Sequence, residues 1–164
     1  MQGKAFKFGD NIDTDVIIPA RYCTAFHKEE LGPHCLEDLD STFAQKVSPG
    51  DFIVAGRNFG CGSSRENAPL AILGAGVAAV IAESFARIFY RNSINVGLPI
   101  FECPEAVKAI QDGDELSVDM NSGEIRNLTR KGVFVSTRFP ERIREIIELG
   151  GLEKYVRKRL NLDV

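Results

Sequence analysis

The chain has 164 residues, 44% of them apolar and 26% charged, enough to bury one core and too few for two full domains. That balance excludes a disordered polymer, and 20 basic against 23 acidic residues, a net charge of −3, lacks the basic excess of a nucleic-acid binder. Met1–Ala20 has neither the apolar run nor the small-residue cleavage site of a secretory leader, and the apolar stretch near 68–82 is broken by Pro69, Gly74 and Gly76, short of the ~20 residues of a membrane span.

Gly3–Phe8 alternates apolar and basic residues, the pattern of a half-buried strand. Gly9–Asp15 then crowds turn formers with Asp10, Asp13 and Asp15, which on spacing alone reads as a solvated turn or a helix cap ahead of Val16-Ile17-Ile18-Pro19. The calcium-loop pattern is absent, since no later Gly and Glu complete it. Residues 20–45 are polar and mixed, a loop followed by one or two short helices. After the turn signal Ser48-Pro49-Gly50, Asp51–Gly56 is a β-branched strand.

Directly behind it stands Arg57-Asn-Phe-Gly-Cys-Gly-Ser-Ser-Arg-Glu-Asn67, with Ser63 or Ser64 expected to cap a helix through Ala68–Leu73. Val77–Ala82 reads as a buried strand. Ser84–Arg91 reads as a helix with Phe85, Ile88 and Phe89 on one face, and Leu98–Glu102 as a further strand. The alternation over 51–102 implies parallel strands with helical crossovers. Beyond it, Glu115–Asp119 and Glu124–Leu128 form a hairpin, Gly132–Ser136 adds a strand, and Pro140–Leu160 is helical with a break at Gly150-Gly151. Those helices either dock on the domain or mediate self-association.

The cysteines, Cys23, Cys35, Cys61 and Cys103, form no Cys-x-x-Cys pair, and His27 and His34 sit in no ligand-like array with them. They read as small buried hydrophobes, Cys61 included, and no bound metal is expected in this chain. Gly60-Cys-Gly-Ser-Ser-Arg65 places small residues, two hydroxyls and a guanidinium where a strand turns into a helix. Free N–H groups at a helix start and the fork of Arg65 suit a small anion. The phosphate-loop pattern fails for want of Gly-Lys-Ser/Thr, the dinucleotide pattern fails after its second glycine, and a serine hydrolase elbow would need a glycine after the nucleophile. Against the anion site stands the plain alternative that Ser63 caps, Arg65 is solvated and the glycines merely turn.

Three segments together, Asp10-Asn-Ile-Asp-Thr-Asp15-Val-Ile-Ile-Pro19, Gly60-Cys-Gly-Ser-Ser-Arg-Glu66 and Ala82-Glu-Ser-Phe-Ala-Arg-Ile-Phe-Tyr-Arg-Asn92, resemble the small subunits of the isopropylmalate isomerase/homoaconitase branch of the aconitase superfamily. The resemblance runs over residues 3–160 at the length of a stand-alone small subunit. It implies an α/β fold of the aconitase swivel type, β/β/α, as a single domain over 1–164 with its β/α core at 3–136 and helices at 140–160. It also implies a cytoplasmic hydro-lyase active only with a large subunit, in a heterodimer or heterotetramer, that reversibly dehydrates a hydroxy-dicarboxylate. The 4Fe–4S cluster would sit in that large subunit, acting as Lewis acid on the substrate hydroxyl; no cofactor is expected on this chain.

By motif position Ser63 is similar to the family's alkoxide base and Asp15 to its active-site aspartate, while Ser64 and Arg65 resemble its carboxylate contacts. The helix-terminal field and Arg65 would stabilise the Ser63 anion. Asp10 and Asp13 stay turn formers. Relatives acting on homocitrate-type tricarboxylates resemble Tyr-Leu-Arg-Thr in the loop after Ile-Ile-Pro, and here that loop is Tyr22-Cys23-Thr24-Ala25, with Thr24 in place of the arginine. An extra carboxylate there would lack its charged partner, a cost on the order of a few kcal/mol. A branched alkyl group suits the loop better, so 3-isopropylmalate and leucine biosynthesis are expected, ahead of homoaconitate, methylmalate (citramalate) or 2,3-dimethylmalate.

Overall fold

A computed structural model describes residues 1–162; the last two positions of the expected domain lie outside the described residues. Seven strands form one mixed sheet: β1 (Gln2–Lys7), β2 (Phe52–Ala55), β3 (Ala79–Ala82), β4 (Ile100–Glu102), β5 (Glu115–Asp119), β6 (Glu124–Asn127) and β7 (Gly132–Val135), in the order β4-β3-β2-β1-β5-β6-β7. β1 to β4 run parallel, with Ala5 opposite Phe52, Phe52 opposite Ala79 and Val80 opposite Ile100. β5 to β7 are antiparallel, with Gly3 opposite Leu116 and Val118 opposite Ile125. β1 is therefore the seam between the two halves and, as its alternation predicts, a half-buried strand: Ala5 is buried on one face while the partly buried Phe6 packs edge-on against Phe43 at 5.2 Å on the other.

β2 and β3 are buried at every position, as parallel strands covered on both faces must be, and they read as unbroken apolar runs for that reason. The longer crossover helices are α4 (Asn67–Gly74) between β2 and β3 and α5 (Arg87–Val96) between β3 and β4. The remaining helices are single turns or short segments: α1 (Thr14–Ile17), α2 (Lys28–Leu31), α3 (Phe43–Lys46), α6 (Pro104–Ala109), α7 (Glu141–Glu148) and α8 (Leu152–Arg159). The parallel crossovers, the hairpin and the glycine break between α7 and α8 all agree with the sequence. The tail docks on the domain: α7 lies against α5 and buries Ile146 and Ile147.

Three expectations are corrected. Ser84-Phe85-Ala86 is extended rather than helical, because Phe59 N–H donates to Ser84 O at 3.0 Å and Ala86 N–H donates to Phe59 O at 2.9 Å, so α5 begins only at Arg87. Of the expected apolar face, Phe89 is buried, but Ile88 points out and is 42% exposed. Neither Ser63 nor Ser64 caps α4. Its N-cap is Glu66, whose side chain makes no capping bond. α6, which begins on Pro104, is a helix the residue pattern did not suggest.

Candidate active site

The chain leaves the carboxyl ends of three adjacent parallel strands, β1, β2 and β3, in three loops, the position where open parallel sheets bind ligands. The loops continue the ladder past the strands. Gly56 N–H donates to Gly9 O at 3.1 Å, Asn11 N–H to Arg57 O at 2.8 Å, Gly60 N–H to Ile12 O at 2.7 Å and Thr14 N–H to Cys61 O at 2.8 Å. Asp10 accepts from Arg57 N–H at 2.8 Å and from its guanidinium at 3.2 Å, and those bonds hold its carboxyl below the usual carboxylate range. Asp13 accepts from Val16 N–H at 2.8 Å and caps α1. Both aspartates are thus scaffold, as turn formers should be.

This ladder delivers the Gly60–Asn67 turn beside α1. Gly60 has φ +78°, a conformation that favours glycine, and a Cβ there would drive into the Phe89 ring. Gly62 has φ +109°, and a Cβ there would meet Thr14 Oγ1 at 2.9 Å. That same Thr14 hydroxyl, buried, accepts from Ser63 N–H at 2.9 Å. The Ser63 backbone is therefore locked by a residue 49 positions earlier in the chain.

The side chains then converge. Arg65 Nε donates to Ser63 Oγ at 2.9 Å, and Arg65 Nη2 lies 3.5 Å from Asp15 Oδ1. Asp15, Cys23, Ser63 and Arg65 line one notch with Thr14, Ile18, Asn67 and Ala68. Of a guanidinium's five N–H donors, those on Nη1 have no hydrogen-bond partner among the described residues, which leaves an edge of the fork for a carboxylate. Ser64 is exposed, and its carbonyl accepts from Asn92 Nδ2 at 2.7 Å.

The loop after Pro19 divides. Cys23 reaches the notch; Thr24 is exposed beside it, and Ala25 presents its carbonyl to Asn67 Nδ2 at 2.8 Å. Tyr22 turns elsewhere: its ring stacks on His34 at 3.8 Å, and its hydroxyl donates to Glu37 at 2.8 Å. Arg21 is engaged by Glu37 and, at 2.7 Å, by Asp38. Burial opposes ionisation of Glu37, yet the hydrogen bonds from His34, Arg21 and Tyr22 outweigh it and bring its carboxyl down to about 2. Cys61 packs in the turn, its thiol pushed up by burial and by Asp13.

Thr14, Asn67 and Asn92, which bond to Ser63 N–H, Ala25 O and Ser64 O, are the positions around the notch that the residue types did not single out. The signal was available for two of them, since Thr14 and Asn92 lie inside the segments that carry the family resemblance. A metal cluster finds no donor set here. Cys23, Cys35, Cys61 and Cys103 stand on separate elements, and among the described residues no three His, Cys, Asp or Glu side chains are placed to hold a metal ion.

Comparison with known proteins gives one answer. Residues 27–105 match the family model of the aconitase C-terminal domain. The 3-isopropylmalate dehydratase small subunit of Caldanaerobacter subterraneus subsp. tengcongensis is 59% identical over 98% of this chain and 99% of its own. That of Moorella thermoacetica is 57% identical over 100% of this chain and 99% of its own. The crystal structure of 3-isopropylmalate dehydratase (leuD) from Methanocaldococcus jannaschii superposes with a TM-score of 0.92 at 46% identity, covering 98% of this chain and 95% of that one. With identity of this order along nearly its whole length and the same fold beneath it, the chain belongs to the family of 3-isopropylmalate dehydratase small subunits.

Proposed function

We propose that the chain is the small subunit of a hydro-lyase that interconverts 2-isopropylmalate and 3-isopropylmalate by dehydration and rehydration, in leucine biosynthesis, as one swivel domain closing on a large subunit. The observation that carries this reading is the hydrogen bond from Arg65 Nε to Ser63 Oγ, with Asp15 across the guanidinium. Ser63 takes the proton from the carbon next to a substrate carboxylate, and the reverse transfer serves rehydration. A serine hydroxyl is a poor base at its free pKa, so its anion needs a fixed cation, and the donor to Oγ is that cation. The start of α4 supports this less than its sequence implies, because the helix begins four residues beyond Ser63 and its field fades within a turn.

The free edge of Arg65, with the exposed hydroxyl of Ser64, binds the substrate carboxylate, and Asp15 fixes the fork. The loop at Tyr22, Cys23, Thr24 and Ala25 receives the alkyl group. With Arg21 held by Glu37 and Asp38, that loop offers no cation for a further carboxylate, which favours the isopropyl substrate over tricarboxylates. The 4Fe–4S cluster belongs to the large subunit, where it supplies the Lewis acid for the departing hydroxyl.

Anaerobic co-expression with the large subunit, followed by absorbance of the alkene formed from a panel of isopropylmalate, homoaconitate, citramalate and dimethylmalate, tests the reading. Isopropylmalate should be turned over fastest, and only by the two subunits together. Turnover by this chain alone, or a preference for a tricarboxylate, overturns it.

A further inference from the structure

Between the Gly60–Gly62 turn and the first two turns of α5 lies a groove of about 590 Å³. Its walls carry Arg87 and Arg91, four residues apart and so on one helix face, with Ile88 between them. Ile88 is 42% exposed. Several arginines elsewhere are paired with acids, Arg57 with Asp10, Arg65 with Asp15, Arg130 with Asp114 and Arg21 with Asp38. Among the described residues the side chains of Arg87 and Arg91, like that of Arg142 on α7, have no ion pair or hydrogen bond, but only Arg87 and Arg91 share one groove. In a chain of net charge −3, two uncompensated guanidiniums flanking an exposed isoleucine are a local inversion of the overall charge.

We propose that this groove docks the large subunit through carboxylates that enter between Arg87 and Arg91, with Ile88 covered by the contact. The proposal rests on the two-subunit function above. Gly60 and Gly62 wall the groove and also belong to the turn that carries Ser63, so a partner seated there is held against the backbone that fixes the base. Two desolvated guanidinium–carboxylate pairs set orientation and encounter rate, and they make association salt-dependent.

The test is titration of the intact small subunit with the large subunit at low and at physiological salt, for the parent, for Arg87→Glu/Arg91→Glu and for Arg142→Glu, a cation on α7 outside the groove. The double variant should bind at least about tenfold more weakly and lose most of the salt dependence, while its kcat at saturating large subunit stays within about twofold. Arg142→Glu should bind as the parent does. Circular dichroism checks folding, and the neutral pair Arg87→Gln/Arg91→Gln should give a smaller loss of affinity in the same direction. Equal binding by the parent and the double variant overturns the docking surface while leaving the function intact. Unchanged affinity with a reduced kcat overturns it too, by putting the arginines on substrate. If sedimentation shows the parent pairing with itself, and the double variant not, the groove faces a second copy and the proposal falls. A parent that binds no large subunit overturns the function, and the groove's role with it.

Discussion

Two of the segments that meet α1 at the notch are held in place by different means. The Gly60–Asn67 turn is fixed through backbone: ladder bonds to the loop after β1, two glycines at positive φ, and the Phe89 ring beneath Gly60. The loop from Ala20 to Asp38 adds to its short local turns a set of side-chain ties: the ion pairs of Arg21, the stack of Tyr22 on His34 and the three bonds that meet at Glu37. Those backbone bonds, with the Thr14 hydroxyl that accepts from Ser63 N–H, fix the main chain that carries the proposed base. Side-chain bonds can be exchanged one at a time, so the loop proposed to select the substrate can change without disturbing the proposed base. On that proposal, rigidity sits under the chemistry and adjustability under the specificity.

This contrast can be broken at several points. The largest effect is expected from Ser63→Ala in the reconstituted enzyme: kcat should fall by about 10²–10⁴-fold, the range for a positioned proton-transfer group, with unfolding unchanged within about 0.5 kcal/mol. A loss of only a few-fold would remove Ser63 from the chemistry. Next is Gly60→Ala, which adds a methyl against Phe89 in a conformation L-residues avoid. It should cost about 3 kcal/mol or more in urea unfolding and take activity with it. If the turn absorbs that methyl at little cost, its backbone is not the rigid part.

Two further changes address the loop. Thr24→Arg supplies the cation the loop lacks and should shift the ratio of tricarboxylate to isopropylmalate kcat/KM by about tenfold, in favour of the tricarboxylate, with the Ser63–Arg65 geometry untouched. An unchanged ratio would mean that position 24 does not face the substrate. The smallest effect belongs to Glu37. Its carboxyl titrates lower in the folded chain, near 2, than when unfolded, so its contribution is present above the ordinary carboxylate range and is lost as pH falls from about 4.5 toward 2. Glu37→Gln should therefore cost about 1 kcal/mol at neutral pH and flatten the stability curve over that acid window, measured by thermal unfolding at successive pH values. The turn should be indifferent to the same change.

Much of the fold was legible because its signals are local. β2 and β3 announce themselves as unbroken apolar runs, the hairpin by its turn residues, and the tail break by Gly150-Gly151. The site was legible only as separate pieces. Ser63 looked like a cap because a serine before an apolar helix usually is one, and nothing nearby in sequence reveals that Thr14 takes its N–H and Arg65 its Oγ. Ile88 looked like a core residue because helical spacing assumed a helix from Ser84, whereas Phe59 holds 84–86 extended and turns that face outward.

By itself the sequence determined which strands run parallel, since that follows from residue type and from periodicity over a few neighbours, and its motifs marked the residues proposed to carry chemistry. The tertiary structure alone decided that Asp15 meets Arg65, that Arg21 is spent on Glu37 and Asp38, and that Arg87 and Arg91 share a groove with no acid paired to either among the described residues. Asp15 and Arg65 are 50 positions apart, and they meet because β1 pairs with β2 in one register that extends into the loops. A shift of that register by one residue would turn each side chain to the opposite face, so the meeting is a property of the packed sheet and not of either segment.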